Sequence, residues 1–384
     1  MTSYGSLDVI YLDHNATTPL APEVLEQMLP YLREHFGNPS SDHALGQRAH
    51  RAVEESRAQV ASLIGASPGE IVFTSGGTES NNLAIRGCAQ AAPHGRHRIV
   101  TSEVEHPATS GPCDLLETQG WTITRVPVTG TGTLDPQVVE DALGTDVALL
   151  TVMLAQNETG AIMAITAMAE AARSSGVVVH TDAAQAVGKI PVSVETLGVD
   201  LLSIAGHKCY GPKGVGALYV RDGMALEPVI RGADQERGLR PGTENVAGIV
   251  GLGAACELAH SRLTEEGARI GALRDALWGA LSNRITGLVR HTPMNNSLPN
   301  TLSVSFPGAP GRDVLARAEG LAASTGSACH AGQQIPPATL LAMGVSPEVA
   351  MGAVRLSLGH DNDPAQIAAA ADILVAAHQE AVRS

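Results

Sequence analysis

Two residues of opposite charge close separate apolar runs within residues 177–212: Asp182 follows VVVHT, and Lys208 follows LLSIAGH. A lysine amine can condense with an aldehyde, and a carboxylate can keep a pyridine nitrogen protonated so that the ring accepts electrons. Either charge alone reads as a solvated loop residue, so the pair gains weight only beside an anion site. Ile71-Val72-Phe73-Thr74 offers one, because this β-branched and aromatic run breaks at Gly76-Gly77-Thr78 into a helix start. Free backbone N–H groups and the positive end of the helix dipole would converge there, making Gly77 and Thr78 a candidate phosphate cradle. No lysine follows the glycines as in a nucleotide P-loop, and the GxGxxG spacing of a dinucleotide site is missing. Amine, carboxylate and phosphate cradle together fit Schiff-base chemistry on pyridoxal 5'-phosphate (PLP).

The elements that must hold these groups are legible as alternation. Apolar runs at 71–74, 98–102, 121–127, 147–154, 177–181, 201–205 and 215–220 alternate with helical segments. That pattern predicts an α/β fold with a mostly parallel sheet covered by helices on both faces. Ligands of such sheets bind beyond the carboxyl ends of the strands, and the unusual polar residues fall there: His106, Asn157, Asp182 with Gln185, and His207 with Lys208. Nearer the start, YLDHNATT (11–18) carries more polar side chains than a plain loop needs. Residues 42–64 read as a long surface helix whose solvated face carries Arg48, Arg51, Glu54, Glu55 and Arg57. Two helices are expected over 247–263 and 266–283, then a smaller α+β part with strands near 300–306 and 354–358 and a closing helix at 364–382. The expected domains are a large PLP-binding domain, 16–259, and a small one built from 1–15 and 260–384.

Bulk properties bound the function. A chain of 384 residues has room for two domains. Its net charge of -14 supplies no basic field for phosphate backbones or anionic lipid, which argues against nucleic acid and membrane surfaces as partners. No apolar run approaches the ~20 residues of a bilayer span and the N-terminus lacks a signal pattern, so a cytoplasmic protein is expected. The 5 cysteines include no CxxC pair, which fits neither a disulfide framework nor a zinc knuckle, and no metal is expected. Cys88, Cys113, Cys209 and Cys256 read as small packing residues. Cys329 differs: it lies in GLAASTGSACHAGQQ beside His330, where a thiol of pKa ~8.5 can act as a nucleophile.

The motifs YLDHNATTP (11–19), FTSGGTESNN (73–82), EVEHPA (103–108), LAQNETG (154–160), HTDAAQAVGK (180–189), GHKCYGPKGVGALY (206–219), RPGTENV (240–246), TGSACH (325–330) and VRLSLGH (354–360) run through nearly the whole chain in order. Together they strongly resemble the cysteine desulfurases and selenocysteine lyases, PLP enzymes of the class V aminotransferase group. The resemblance implies the type I fold of PLP-dependent transferases, with Lys208 binding the PLP aldehyde, Asp182 on the pyridine nitrogen and Gln185 on the ring hydroxyl. It implies His106 stacked on the ring as a proton carrier, and Thr78 and His207 on the phosphate, joined by Thr243 from the second subunit of a homodimer. Asn157 should lie beside ring and substrate, Asn38 near the substrate, and Arg355 should clamp the amino acid carboxylate as a fork. Cys329 falls where the family keeps its persulfide cysteine.

One position departs from the family pattern: Ala205 stands where a serine is usual, which removes a phosphate hydrogen bond unless Ser203 or a water replaces it. The implied activity is removal of sulfur from L-cysteine, giving L-alanine and a persulfide. That sulfur would pass to an acceptor protein such as an iron–sulfur scaffold or a thiolation enzyme. His330 and the non-serine at 205 look more like the selenocysteine lyase branch, which would act on L-selenocysteine. Two further alternatives are a PLP enzyme that uses no thiol and a non-catalytic scaffold for sulfur-assembly proteins.

Overall fold

A computed structural model describes residues 9–326 and 335–383 of the chain. The runs read as buried strands are strands, and their apolar continuity has a physical cause: in β2 (Ile71–Thr74), β5 (Val147–Thr151), β7 (Leu201–Ala205) and β8 (Gly216–Val220) every residue is buried. With β3 (Arg98–Ser102), β4 (Thr122–Val126) and β6 (Val178–Asp182) they form a seven-stranded sheet of order β2-β8-β7-β6-β5-β3-β4. Only β8 runs antiparallel to its neighbours, so the other strands present their carboxyl ends along one edge.

Helices α1 (Pro22–Arg33), α2 (Ala44–Ile64), α3 (Gly77–Ala91) and α4 (Pro107–Thr118) follow the expected positions. The solvated face assigned to α2 needs correcting at Arg57, which is 8% exposed. Its guanidinium turns inward to Glu236, with NH2 donating to Oε1 and NH1 to Oε2, each at 2.8 Å. A second correction concerns the expected pair of helices after residue 246, which is one helix, Val246–Ser282. Nothing between Leu263 and Glu266 breaks it, since Thr264 and Glu265 are both tolerated in a helix interior. Its first half packs on α1 and α2, and Gly253 lets it approach closely, because a Cβ there would meet Ser56 Cα at 2.7 Å.

The second half of that helix packs on β10 (Thr301–Ser305) and on the closing helix Pro364–Arg383. There β9 (Val289–Arg290), β10 and β12 (Ala353–Ser357) form an antiparallel sheet of order β12-β10-β9. A separate apolar cluster, including Leu12, Leu277, Leu302, Val314, Leu356 and Leu374, fills this region. The chain start joins it through β1 (Ile10–Tyr11), paired in parallel with β11 (Leu321–Ala322). The polar segment YLDHNATT therefore begins on this two-stranded β1-β11 pair and runs across to the end of β7 in the large sheet, where Thr18 N donates to His207 O.

Candidate active site

The carboxyl edge of the large sheet opens into a cleft of about 200 Å³, and Gly77, Thr78, His106, Asn157, Asp182, Gln185, His207 and Lys208 all line it. Each arrives on its own turn. Gly76, at φ 144°, lets β2 break sharply into α3. In the first turn of α3 the N–H groups have no intrahelical partners, which leaves them available to an anion.

Asp182 ends β6 with both carboxylate oxygens held, Oδ2 accepting from Asn81 Nδ2 at 2.6 Å and Oδ1 from Ala184 N at 2.9 Å. One rotamer is thereby fixed at the cleft wall. His106 caps α4, its Nδ1 accepting from Ala108 N at 3.1 Å, so the ring proton of the neutral form sits on Nε2. Burial lowers its pKa.

Lys208 follows β7 on a single 3-10 turn. Its Nζ donates to the carbonyl oxygens of Asn15 at 2.6 Å and Ala16 at 2.8 Å. Burial, with Arg355 next in effect, brings its pKa down to about 8. His207 beside it is pushed down to about 4 by burial and by Lys208, so it is neutral at pH 7. Its Nδ1 lies 3.2 Å from Thr17 Oγ1.

Other expected residues stand elsewhere. Arg355 is 5% exposed and does not line the cleft. Its NH2 pairs with Asp13 at 2.8 Å and its NH1 donates to Asn157 O at 3.1 Å, while Nε is buried without a partner. A buried guanidinium N–H left unpaired is costly, and a carboxylate is the acceptor that suits it. Asn38 is exposed, its Oδ1 accepting from Ser40 N. Thr243 is exposed too, and neither residue reaches the cleft of its own chain. Ser203 does not stand in for the missing serine: it is fully buried, with Oγ 2.9 Å from His180 Nε2, and Ala205 is what lines the cleft. Cys329 lies outside the described residues.

Several residues that sequence reasoning gave no role hold the site together. Asn15 O accepts from both Lys208 Nζ and Gln185 Nε2, and Thr18 Oγ1 donates to His207 O at 3.0 Å. Asp13 holds Arg355, so the polar crowding of YLDHNATT was the available signal. Under His106, the Glu105 carboxyl turns inward, accepting from Ser102 Oγ at 2.6 Å and from Met153 N at 3.1 Å.

Burial pushes the Glu105 pKa up from 4.5 to about 8. The folded chain therefore keeps a proton that the unfolded chain loses, so stability from this group is complete below about 4.5 and lost as pH rises towards about 8. Glu105→Gln should flatten that decline in urea unfolding measured across the window. An unchanged slope would mean that the carboxyl is ionised in the native state.

The site has the donors a phosphorylated pyridine aldehyde needs: a deprotonatable amine, an anchored carboxylate, a neutral histidine and a helix start. Comparison with known proteins agrees. The chain belongs to the class V aminotransferase family, whose sequence pattern matches residues 10–369. Within that family it groups with the cysteine desulfurases. It is 48% identical over 353 residues to the cysteine desulfurase IscS of Dictyoglomus turgidum, covering 91% of this chain and 89% of that protein. It is 46% identical over 366 residues to the cysteine desulfurase of Cereibacter sphaeroides, covering 94% of this chain and 93% of that one. Among solved structures, a NifS-like protein superposes with a TM-score of 0.90 at 37% identity, covering 96% of this chain and 98% of the other. SspA in complex with cysteine gives 0.82 at 36% identity, covering 91% and 98%. No helix among the described residues is long and apolar enough to cross a membrane.

Proposed function

We propose that this chain is a PLP-dependent cysteine desulfurase that converts L-cysteine to L-alanine and leaves a persulfide on Cys329 for an acceptor protein. The observation that carries the reading is the convergence of Lys208 and Asp182 on one cleft, beside the α3 helix start. The relatives named above are cysteine desulfurases, which does not favour the selenocysteine lyase alternative. When bound, PLP supplies an aldehyde for an amine to capture and a ring that takes up electrons released at the substrate's Cα.

The chain's own residues do the rest. Lys208 offers the amine, held towards the cleft by the Asn15 and Ala16 carbonyls and free to carry a proton to and from substrate carbon. Asp182, fixed by Asn81 and Ala184, balances positive charge at the ring nitrogen. His106 presents Nε2 to move a proton, and Gln185 and Asn157 orient ring and substrate. The α3 start, with Gly77, Thr78 and His207, holds the phosphate. The substrate carboxylate is assigned to Arg355 by family resemblance, supported by its unpaired Nε, although the residue does not line the cleft as it stands.

Cys329 takes the sulfur. Its thiolate forms an S–S bond to the substrate's sulfur, the Cβ–S bond breaks with its electron pair staying on Cβ, and protons added at carbon complete L-alanine. In a homodimer, Thr243 would complete the phosphate site of the second copy and Asn38 would approach the substrate. The division into 16–259 and 1–15 with 260–384 belongs to this proposal, supported by the separate apolar cluster around Leu302 and Leu356.

Cys329→Ser should keep the cofactor's visible absorbance while lowering L-alanine formation from L-cysteine on the order of 10²-fold or more. Undiminished alanine and sulfide release from the serine variant would remove Cys329 from the reaction.

A further inference from the structure

Lys189 closes the HTDAAQAVGK motif, and the reaction as described gives it nothing to do. Its residue surface is partly exposed, yet its ammonium reaches inward to two side-chain amides, donating to Gln185 Oε1 at 2.6 Å and to Asn15 Oδ1 at 3.1 Å. Burial and the charges of Lys208 and Arg355 lower its pKa well below the usual lysine value, and as ammonium or amine it still has N–H groups for both amide oxygens. Asn15 Oδ1 also accepts from Asn300 Nδ2 at 3.0 Å, so its amide is oriented without Lys189, whereas among the described residues Gln185 Oε1 accepts from Lys189 alone. Asn15 Nδ2 then faces Thr301 Oγ1 at 2.9 Å and Asn157 O at 3.2 Å. Gln185 Nε2 donates one hydrogen to Asn15 O at 2.9 Å and keeps its second for the cleft that Gln185 lines. The same Asn15 carbonyl accepts from Lys208 Nζ.

We propose that Lys189 is a positioning residue: by holding Gln185 Oε1 it sets the orientation of that amide and so aims the Gln185 N–H at the cofactor's ring hydroxyl. Without it only the bond from Gln185 Nε2 to Asn15 O opposes a turn-over of the amide that would present a lone pair to that hydroxyl. Lys189 does not line the cleft and acts through Gln185.

This inference rests on the PLP reading of the cleft, and the test keeps the two apart. Holoenzymes of the full chain are compared as wild type, Lys189→Met, Gln185→Ala and the double variant. The readouts are the visible absorbance maximum of the cofactor and its rate of loss on dialysis. Lys189→Met should shift the maximum and speed PLP loss about tenfold, Gln185→Ala should do the same, and the double variant should be no worse than Gln185→Ala alone. A wild-type maximum and loss rate in Lys189→Met, whatever its melting temperature, would overturn the proposal, and so would losses that multiply in the double variant. If Lys189→Met does not fold, Lys189→Leu, which donates to neither oxygen, is read by the same criteria. A wild-type protein that takes up no PLP would instead sink the reading of the cleft itself.

Discussion

Lys208→Ala should abolish capture of PLP as a covalent adduct and lower L-alanine formation from L-cysteine on the order of 10³-fold or more. The expectation follows from how this amine is held. Among the described cleft-lining residues it is the only lysine. Two carbonyls orient it, and with a pKa of about 8 it is free base in roughly one molecule in ten at pH 7. An ordinary lysine would offer roughly one in three thousand. The same shift predicts that PLP uptake by cofactor-free enzyme rises with pH to a plateau above about 8.

A stability effect accompanies it, and its sign is fixed. The unfolded chain holds this proton up to the usual lysine value of 10.5 and the folded chain only to about 8, so the unfolded state binds more protons between them. Stability therefore rises with pH across that window, and Lys208→Ala should flatten the rise. Stopped-flow absorbance and denaturant titration check the two arms. A variant that forms alanine at near the wild-type rate would take the amine out of the chemistry.

The parts of this molecule that a sequence betrays are those with local causes. Strands β2 and β7 begin and end where their apolar runs do, because both faces of the sheet are covered and a polar side chain is admitted inside only with a partner, as Ser203 has in His180. The turns after them carry cleft residues for the same reason: polar side chains have nowhere else to go. What stayed hidden depends on distance along the chain. Arg57 has the spacing of a surface helix charge, and only Glu236, 179 positions away, makes it buried. Asn15 looks like a loop residue until Lys208, 193 positions on, bonds its carbonyl. Asn38 and Thr243 entered through family resemblance alone, and neither is among the described residues that line the cleft.

Glu236→Ala should destabilise the fold by about 3–5 kcal/mol, among the largest effects of any single change outside the cleft. The Glu236 side chain is 3% exposed and that of Arg57 is 10% exposed, and the pair is bidentate. Glu236 Oε2 also accepts from Phe73 N at 2.8 Å, while Arg57 donates to Ile71 O at 2.9 Å and lies over the Phe73 ring at 4.8 Å. Removing the carboxylate leaves a buried cation and an orphaned N–H on β2, and both penalties fall on the strand that leads into the phosphate cradle. The turn itself is strained, with Glu236 at φ 48° and Arg237 at φ 59°, both non-glycine residues in the left-handed region. The ion pair holds that turn, and Arg240 three residues on bonds Glu79 in the first turn of α3 at 2.9 Å. Loss of the pair should therefore also weaken PLP binding, although Glu236 is not in the cleft. Replacing both partners together, Arg57→Met with Glu236→Leu, should recover part of the stability, because no uncompensated charge remains buried. Calorimetric or denaturant unfolding of Arg57→Met, Glu236→Leu and the double variant decides it: a double variant as unstable as the sum of its singles would mean that the two side chains act independently.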